Sequence, residues 1–440
     1  MKKKETHTFQ VEAKVPAIYY AGRNGYAIEH KGGFIPLTSE SQVKQHLVAA
    51  KVPDDQFNEL LCKIRLENFV SYIGPVAGHQ PGIHIAPESG QPFLVTTGPK
   101  IINGVEGDWN FIGGFLRDLL GDEIQLQAAV AWLRQARRNV LAGKRRPLPA
   151  AVFVGPRKCG KTLFIELARL CLGGRVASAL AALSGSTQFN GHTLGSELLV
   201  IDDEIASKQH STRTALAQGI KKQLFAGSVS IEAKHRDPIA MRPVQGIIIA
   251  VNDEPEHLQV LPAMDDSVAD KISLFSCERA RLGDLTEPDQ IAAAIKAELP
   301  AFCFFLDTTD HPEELKDSRT GAAAWQNPAV QESLQSIAPE ERFRELLAQC
   351  TPIIEAISSS GFWRGTSAEI ERLLADNDVT RNSARSLLSW QGACGVFLGR
   401  LETGRRAAIS RTCIKGINQW RLTGLEPLGT EQGQLPWVGE

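Results

Sequence analysis

The sequence predicts an α/β protein, and three observations support this. Apolar runs that fit buried strands, at residues 150–154, 198–201 and 246–251, alternate with helical patterns. A glycine-bearing turn follows the first run, and a group of acidic residues follows the second. The composition, with 43% hydrophobic and 22% charged residues, is globular and excludes disorder or a collagen-like repeat as the main theme.

Two regions precede this core. Residues 1–105 read as a small N-terminal α+β domain of unknown role, because turn signals separate short β-type runs ahead of two stretches of helical spacing. Residues 106–149 follow with a helical pattern and are expected to form a helical collar. Basic residues cluster at its end and either complete a solvated helix end or line a channel: Arg134, Arg137, Arg138, Lys144, Arg145 and Arg146.

The turn after the first strand carries a phosphate-binding motif. It reads G-x-x-x-x-G-K-T and lies between a predicted strand and a predicted helix, which is the context that the motif requires. Its backbone N–H groups would surround a β-phosphate, Lys161 would reach the β- and γ-phosphates, and the Thr162 hydroxyl would ligate Mg²⁺. The motif therefore predicts ATP and Mg²⁺ as cofactors. The residues expected at the nucleotide are Gly155, Pro156, Arg157, Lys158, Cys159, Gly160, Lys161 and Thr162.

The strands that follow end in polar residues of a matching kind. Three acids follow the second strand, where one carboxylate can orient Mg²⁺ and the next can polarise the attacking water. Asp202 is assigned to the metal, Asp203 is the first choice of base, and Glu204 is the reserve. The third strand ends in Asn252, whose amide is expected beside the γ-phosphate, holding the water; a plain turn asparagine is the alternative.

Between these strands, a helix ending at Gly227 precedes a strand, a cationic tip and a second strand. This order of nucleotide motifs, Glu-x-Lys hairpin and strand closing in Asn resembles the superfamily 3 helicases. The most similar branch is the helicase portion of phage, plasmid and poxvirus-type primase-helicases. The resemblance covers about residues 110–422. It includes 298–302 and 319–325, which look like the post-ATPase segment of that branch and lie in a predicted helical segment, 291–356.

The resemblance implies an AAA+-like P-loop ATPase core over residues 150–290. It also implies a homo-oligomeric ring, a hexamer, that hydrolyses ATP and unwinds DNA during phage or plasmid replication. In such rings the hairpin enters the central pore, where a Lys grips the backbone of single-stranded or forked DNA. Lys234 matches that position, with His235 and Arg236 beside it; a plain solvated turn is the alternative.

Hydrolysis in such rings needs a cation supplied across the subunit interface. The family pattern places an Arg, often paired, shortly before a strand that ends in Phe. Asp270 and Lys271 stand there instead, which is a departure because Lys lacks the planar fork of Arg. Lys271 is the first choice for the trans-acting residue. The alternatives are Arg242, Arg279 or Arg281, or a weak turnover.

Residues 357–440 read as a winged-helix-like C-terminal domain, because helical patterns precede a basic turn. Residues 361–422 carry ten basic and five acidic side chains, although the whole chain has a net charge of −2. Arg405 and Arg406 in the turn would bind backbone phosphates of DNA, and a protein contact is the alternative. A Ser- and Gly-containing run at 357–361 is expected to be a linker.

The cysteines and the lengths of the apolar runs bear on the cellular compartment of the protein. The eight cysteines form no C-x-x-C pair, which favours a reduced cytoplasmic protein without a zinc site. No apolar run approaches the ~20 residues of a membrane span. Residues 1–105 show no primase-sized domain, so a primase or other replication protein would be a separate partner.

The leading hypothesis is thus an ATP-driven ring translocase on single-stranded DNA. The alternative is an ATP-switched DNA-binding or loading ATPase of a defence or recombination complex, without processive unwinding. The missing Arg pair favours this second hypothesis.

Overall fold

The structure is a computed structural model that describes residues 17–425 with interruptions. Besides both termini, the residues outside the description are Glu88, Arg145, 188–189, 203–209, 226–227, 232–238, Pro243, 259–260, Ala263, Asp265, Asp284, Ile337, 404–407 and Lys415. The chain divides into two compact units, Met1–Val330 and Gln331–Glu440. This boundary lies upstream of the one predicted at residue 357.

The first unit combines strands with helices of up to 21 residues, and helices dominate the second. The strands are β1 (Ile18–Tyr20), β2 (Tyr26–His30), β3 (Gly33–Leu37), β4 (Ile73–Gly74), β5 (Gly82–Ile85), β6 (Pro92–Val95), β7 (Ala150–Val154), β8 (Val176–Ser178), β9 (Leu198–Asp202), β10 (Val229–Ile231), β11 (Ile239–Met241), β12 (Gly246–Val251), β13 (Ile272–Ser276), β14 (Lys316–Asp317), β15 (Gly321–Ala322), β16 (Trp363–Gly365), β17 (Ile409–Ile414) and β18 (Ile417–Leu422). The helices are α1 (Glu40–Ala49), α2 (Phe57–Glu67), α3 (Asn110–Leu120), α4 (Glu123–Ala142), α5 (Lys161–Cys171), α6 (Leu180–Leu183), α7 (His210–Phe225), α8 (Pro255–Leu258), α9 (Asp266–Ala269), α10 (Pro288–Thr308), α11 (Pro328–Ser336), α12 (Pro339–Gln349), α13 (Thr351–Ser360), α14 (Ser367–Asp376), α15 (Arg381–Leu387) and α16 (Ala393–Thr403). In the described part of the chain, none of these helices combines the length and the apolar character that a bilayer crossing needs.

A five-stranded sheet forms the centre of the first unit. Its order is β13-β7-β12-β9-β8, and every neighbouring pair is parallel. β7 and β12 are buried along their whole length, as expected of inner strands in a parallel sheet. Helices α3, α4, α5 and α10 share one apolar core with the sheet. The α/β prediction is therefore confirmed. The residues that follow β7, β9 and β12 lie together at one edge of the sheet, the one formed by the carboxyl ends of its parallel strands.

The N-terminal region forms two three-stranded sheets, β1-β2-β3 and β4-β6-β5, with α1 and α2 packed on the first. An ion pair between the half-buried Arg175 and the fully buried Glu197 joins this region to the central sheet. Arg175 also donates to the carbonyls of Thr97 at 2.8 Å and Val76 at 3.1 Å. Glu197 accepts a bond from the Gly78 N–H at 3.0 Å. Because these partners satisfy both charges, the pair fixes the start of β9 at a lower desolvation cost than an unpaired buried charge would carry.

Two basic residues of α4 are buried, against the sequence prediction. The Arg137 guanidinium donates to both carboxylate oxygens of Asp307, at 2.7 and 2.8 Å, and to the Cys171 carbonyl at 2.6 Å. Arg134 donates to the Asp310 carbonyl at 3.0 Å. Both side chains are almost inaccessible to water. For these two residues the solvated helix end and the channel lining are therefore both wrong, because they bind α4 to α10 and the loop after it.

The second unit has its own apolar core, to which α12 to α16 and a three-stranded antiparallel sheet, β16-β18-β17, contribute. α14 begins with a reciprocal cap, in which Thr366 Oγ1 accepts from the Glu369 N–H at 3.2 Å and Glu369 Oε2 accepts from the Thr366 N–H at 2.6 Å. The predicted linker at 357–361 is wrong, because this run is the last turn of α13. That helix ends at Gly361, whose φ of 80° suits a helix C-terminus.

Candidate nucleotide-binding site

The turn between β7 and α5 carries the predicted phosphate motif. Gly155 has no room for a side chain, because a Cβ there would lie 2.3 Å from the Cys277 carbonyl oxygen. Gly160 has a φ of 125°, a conformation that residues with side chains rarely adopt. The turn thus follows a path that requires glycine at both positions. It ends at the N-terminus of α5, whose unpaired N–H groups favour an anion.

Lys161, the first residue of α5, is enclosed by oxygen atoms. Its ammonium donates to the carbonyls of Gly155 at 2.7 Å and Pro156 at 2.9 Å, and to Asn252 Oδ1 at 3.1 Å. Lys161 is 6% exposed and Asn252 is 3% exposed. A buried ammonium is costly unless such acceptors offset its desolvation. The structure therefore brings together two residues that were predicted separately, on different strands.

Thr162 and Asp202 form a second contact at the same edge of the sheet. Thr162 Oγ1 donates to Asp202 Oδ2 at 3.2 Å. Hydroxyl and carboxylate oxygens are the ligands that Mg²⁺ prefers, so this pair fits the metal that the motif implies. Asp203 and Glu204 lie outside the described residues, and the choice of base stays a prediction.

Sequence reasoning missed two residues beside the loop, Glu254 and His257. Arg157 Nε lies 3.3 Å from Glu254 Oε1, and Arg157 Nη2 lies 3.4 Å from His257 Nε2. Lys158 is exposed and has a φ of 60°. The segment after Asn252 reads as an ordinary acidic turn. The useful signal is its position after a strand parallel to β7, which places it at the edge that holds the phosphate turn.

The Cys159 thiol is the remaining side chain of the turn. Its sulfur lies 3.7 Å from Lys161 Nζ and accepts a hydrogen bond from the Cys277 thiol. This bond, together with the positive Lys161, outweighs the effect of burial and lowers the pKa of Cys159 to about 6. Burial has the opposite effect on the donor and raises the pKa of Cys277 well above its ordinary value.

The segment after β13 runs along the phosphate turn of its own chain. The Ala280 N–H donates to the Cys159 carbonyl at 3.0 Å, and a Cβ on Gly160 would lie 3.6 Å from the Ala280 Cβ. Arg279 and Arg281 flank Ala280. These two alternatives for a trans-acting residue therefore lie beside the nucleotide turn of the same chain, where they can serve a nucleotide bound in cis.

Lys271 lies at the opposite end of β13. This strand pairs with β7 in parallel, so that Ile272 faces Ala150 and Ser276 faces Val154. At ~3.3 Å per residue, the five residues of β13 span about 16 Å. Lys271, which precedes the strand, is therefore too distant to contact a nucleotide held at its own phosphate turn.

Lys271 belongs to a cluster that sequence reasoning missed. Its ammonium pairs with Asp270 and lies 5.3 Å from the ring centre of Phe225, at the end of α7. The Arg319 guanidinium lies 4.1 Å from the centre of the same ring and 3.7 Å from Asp270. The Asp317 carboxylate accepts from the Arg319 N–H at 2.9 Å and shapes the turn that presents this side chain. An arginine thus stands beside the position where the family pattern expects one.

The chain folds back along β13, which explains how Arg319 reaches this cluster. The Leu274 N–H donates to the Trp325 carbonyl at 2.7 Å, and Gln326 Nε2 donates to the Ala269 carbonyl at 2.8 Å. These bonds hold the segment after Arg319 against β13, the outermost strand of the central sheet. No local motif signals this pairing, because the two segments are far apart in sequence.

All five residues predicted to contact DNA lie outside the described residues. β10 and β11 form an antiparallel hairpin in which Val229 pairs with Met241 and Ile231 with Ile239, and Arg242 follows it as an exposed residue. The tip, with Lys234, His235 and Arg236, lies outside the described residues. So do Arg405 and Arg406 in the second unit.

Comparisons with known proteins support the fold more than the activity. A family described as "Family of unknown function (DUF5906)" matches residues 153–267, a span that includes the phosphate turn, β9 and the hairpin. The match covers less than half of the chain, and its description assigns no activity. No match is found among curated proteins.

Solved structures resemble the chain over most of its length. It is similar to the apo C-terminal region of NrS-1, with a TM-score of 0.56 at 12% identity over 93% of this chain and 97% of that one. A second structure of the same region gives a TM-score of 0.55, again at 12% identity, over 93% and 96% of the two chains. The JCV helicase gives 0.28 at 14% identity over 55% and 70%, which is too low to support an argument. The NrS-1 likeness shows a shared fold.

Proposed function

We propose that the chain is an ATP-dependent DNA translocase and helicase of the superfamily 3 type, active as a homo-oligomeric ring, a hexamer, on single-stranded or forked DNA. The observation that carries the proposal is the meeting of four predicted residues at one edge of a parallel sheet. There Lys161 contacts Asn252, and Thr162 contacts Asp202. This is the set of groups that holding and cleaving a nucleoside triphosphate requires. The proposed setting is mobile-element replication in the cytoplasm.

The side chains at this edge have distinct roles in the proposal. Thr162 and Asp202 would hold Mg²⁺, which offsets charge on the phosphate oxygens when bound. Lys161 exchanges the carbonyls of its own turn for phosphate oxygens, so its ammonium moves from one set of acceptors to a more negative one. Asn252, already held by Lys161, positions the attacking water, and one of the acids that follow Asp202 in the sequence, Asp203 or Glu204, takes its proton.

The cluster at the other end of β13 supports action between subunits. Lys271 and Arg319 cannot reach the phosphate turn of their own chain, because about 16 Å of strand lies between. In a ring, the same cations would face the nucleotide of a neighbour and stabilise charge on the γ-phosphate. Arg319 is the stronger candidate because a guanidinium can bind two oxygens at once, which an ammonium cannot.

DNA contacts in the proposal come from cationic side chains on two elements. Lys234, with His235 and Arg236, would grip the strand in the pore, and Arg405 and Arg406 would bind backbone phosphates outside it. Such contacts depend strongly on salt and little on sequence. Primer synthesis would come from a separate replication protein.

The alternative proposal is an ATP-switched DNA-binding or loading ATPase without processive unwinding. Its main support was the missing Arg pair at Asp270 and Lys271. Arg319, stacked next to Lys271, supplies the planar cation that the pair lacks and favours the translocase. A forked DNA substrate separates the two, because a switch would bind the fork and hydrolyse ATP without releasing a strand.

Strand displacement from a fork tests the proposal directly. Lys161→Ala should stop ATP hydrolysis, both with and without DNA, and should therefore also stop strand release. Lys234→Ala should remove the stimulation of hydrolysis by DNA and should also stop strand release. Light scattering with an ATP analogue and DNA should give the mass of a ring. A persistent monomer, or a Lys234→Ala protein that unwinds like the wild type, would contradict the proposal.

A further inference from the structure

A pair of hydrogen-bonded thiols lies against the phosphate turn and has no role in the proposed cycle. Cys159 is part of the turn, and Cys277 follows β13 directly. Backbone bonds hold both: the Cys277 N–H donates to the Val154 carbonyl at 2.6 Å, and the Cys159 carbonyl accepts from Ala280 at 3.0 Å. Two sulfurs in hydrogen-bond contact need only a short approach to reach the ~2.05 Å of a disulfide.

The two thiols differ chemically in the way that disulfide formation requires. The Cys159 sulfur lies 3.7 Å from the Lys161 ammonium and accepts a bond from Cys277, so at neutral pH it is largely a thiolate. Cys277 stays protonated, because burial raises its pKa. Thiolates, and not thiols, are the nucleophiles. The pair thus offers one sulfur for attack and one to complete the bond.

We propose that Cys159 is an oxidation site, and that its disulfide with Cys277 reversibly disables the nucleotide site. The disulfide itself follows from the thiol pair, whereas its effect on ATP rests on the proposed function. The oxidant would be a peroxide, and the reductant that reverses the change a small dithiol or a thiol of the glutathione class.

The chemistry balances in two steps. The Cys159 thiolate attacks one peroxide oxygen, the O–O bond breaks, and the products are a sulfenic acid and hydroxide, which takes up a proton to form water. The Cys277 sulfur then gives up its proton to the sulfenic oxygen as it attacks the sulfenic sulfur; the S–O bond breaks, a second water molecule leaves, and the S–S bond forms. Two thiols are oxidised and one peroxide is reduced to two waters.

The disulfide would change the turn at its most constrained part. Cys159 lies next to Gly160, whose φ of 125° few other residues could adopt, and two residues before Lys161. Drawing Cys159 toward Cys277 displaces backbone N–H groups that would face phosphate, and it removes the thiolate beside the Lys161 ammonium. We therefore expect the oxidised protein to bind nucleotide more weakly. Bound nucleotide should in turn slow the oxidation, because phosphates compete with the thiolate for Lys161.

The chain contains a second thiol pair that serves as a matched control. Cys171, in the last turn of α5, shares a hydrogen bond with Cys303 of α10 in the apolar core. This pair lies beside Arg137, and Cys171 is ten residues, or about 15 Å of helix, beyond Lys161. Its oxidation would have no direct route to the nucleotide site. Cys62 and Cys413 are exposed and report general oxidation.

The test treats the purified full chain with hydrogen peroxide and maps peptides under non-reducing conditions by mass spectrometry. A fluorescent ATP analogue measures affinity before oxidation, after it, and after dithiothreitol. We expect a linked Cys159–Cys277 peptide, an affinity lowered about tenfold or more, recovery with dithiothreitol, and slower linkage when MgATP is present. Cys277→Ala should bind the analogue like the wild type. Peroxide should cause no loss of its affinity that dithiothreitol reverses. Cys303→Ala should respond like the wild type.

The outcomes separate the two levels of the proposal. If Cys62 and Cys413 become oxidised and no linked peptide forms, Cys159 and Cys277 are not an oxidation site. Cys277→Ser provides a second variant if Cys277→Ala melts at a lower temperature. A linked peptide with unchanged affinity would overturn the regulatory effect. If the reduced protein binds no ATP analogue, the proposed function fails, while the linked peptide still decides whether the thiol pair is an oxidation site.

Discussion

The two ends of the central sheet both carry cations, but in opposite surroundings. At the carboxyl end, Lys161 is 6% exposed and three oxygen atoms accept its hydrogen bonds. At the amino end, the Arg319 side chain is 58% exposed and rests on the Phe225 ring. Its nearest carboxylate, Asp270, lies 3.7 Å away.

Under the proposed function, the two arrangements suit nucleotides bound by different copies of the chain. An enclosed ammonium is already positioned by its own turn and needs only a ligand that offers better acceptors. A guanidinium that stacks on an aromatic ring is held in place by one face and keeps its edge for a partner. The first arrangement suits a nucleotide bound by the same chain, and the second suits a nucleotide bound by another copy.

Removing the enclosed ammonium should have the largest effect. Lys161→Ala removes the ammonium that lies between the carbonyls of the phosphate turn and Asn252. Hydrolysis should therefore fall to the assay background, about 10³-fold or more. A steady-state phosphate-release assay measures it. Lys296→Ala, an exposed residue of α10, is the control and should behave like the wild type. Equal losses in both variants would argue against a specific role.

The exposed cation should have the next largest effect. Arg319→Ala should lower turnover by about 10²–10³, below the full effect of a trans-acting arginine because Lys271 remains beside it. Nucleotide affinity should change little, since the residue lies far from the turn of its own chain. Lys271→Ala should lower turnover less, by about tenfold. If Lys271→Ala proves the more damaging variant, the ranking of the two cations is wrong.

The aromatic platform should have a smaller effect. Phe225→Leu keeps an apolar side chain but removes the ring on which Arg319 and Lys271 rest, so turnover should fall about three- to tenfold. Measured KM for ATP should stay constant, because no nucleotide contact is lost. Phe225→Tyr retains the ring and should restore most of the activity. A drop in the melting temperature of Phe225→Leu that matches the loss of turnover would point to folding instead.

The thiol of the phosphate turn should show the smallest, but a distinctive, difference. The thiolate is the form that reacts with iodoacetamide, so alkylation of Cys159 should rise with pH and level off above about 6. An unperturbed thiol would instead rise through about 8.5. Lys161→Ala removes a positive neighbour and should move the Cys159 midpoint upward. A Cys159 profile that rises only through about 8.5 would contradict the assigned contacts.

The sequence was sufficient for the α/β core and for the individual residues that follow its strands. Strand order places Asp202 and Asn252 after neighbouring strands, so a motif at β7 and polar residues after β9 and β12 must converge. The fit of the turn itself was also readable from its two glycines. Roles at this edge remain predictions, since only binding and hydrolysis can assign them.

Other features depend on contacts between distant segments, which no local pattern reveals. Arg319 reaches Phe225 only because the chain folds back along β13. Arg137 looked like a solvated basic residue, and its burial is explained by Asp307 and by the carbonyls of Cys171 and Ile102. The run at 357–361 has a linker-like composition, but α13 packs in the core of the second unit and keeps it helical. Tertiary contacts outweigh local composition at each of these places.

Mixed oligomers test the division between the two ends of the sheet most directly. Lys161→Ala and Arg319→Ala chains, each inactive alone, would be co-expressed with different tags and purified through both. We expect ATP hydrolysis to reappear, because an intact turn on an Arg319→Ala chain can face the intact Arg319 of a Lys161→Ala neighbour. Lys161→Ala mixed with Asp202→Ala should stay inactive, since both residues are proposed to act on the nucleotide of their own chain. Failure of the first mixture to recover, or equal recovery in both, would contradict a cation acting between subunits.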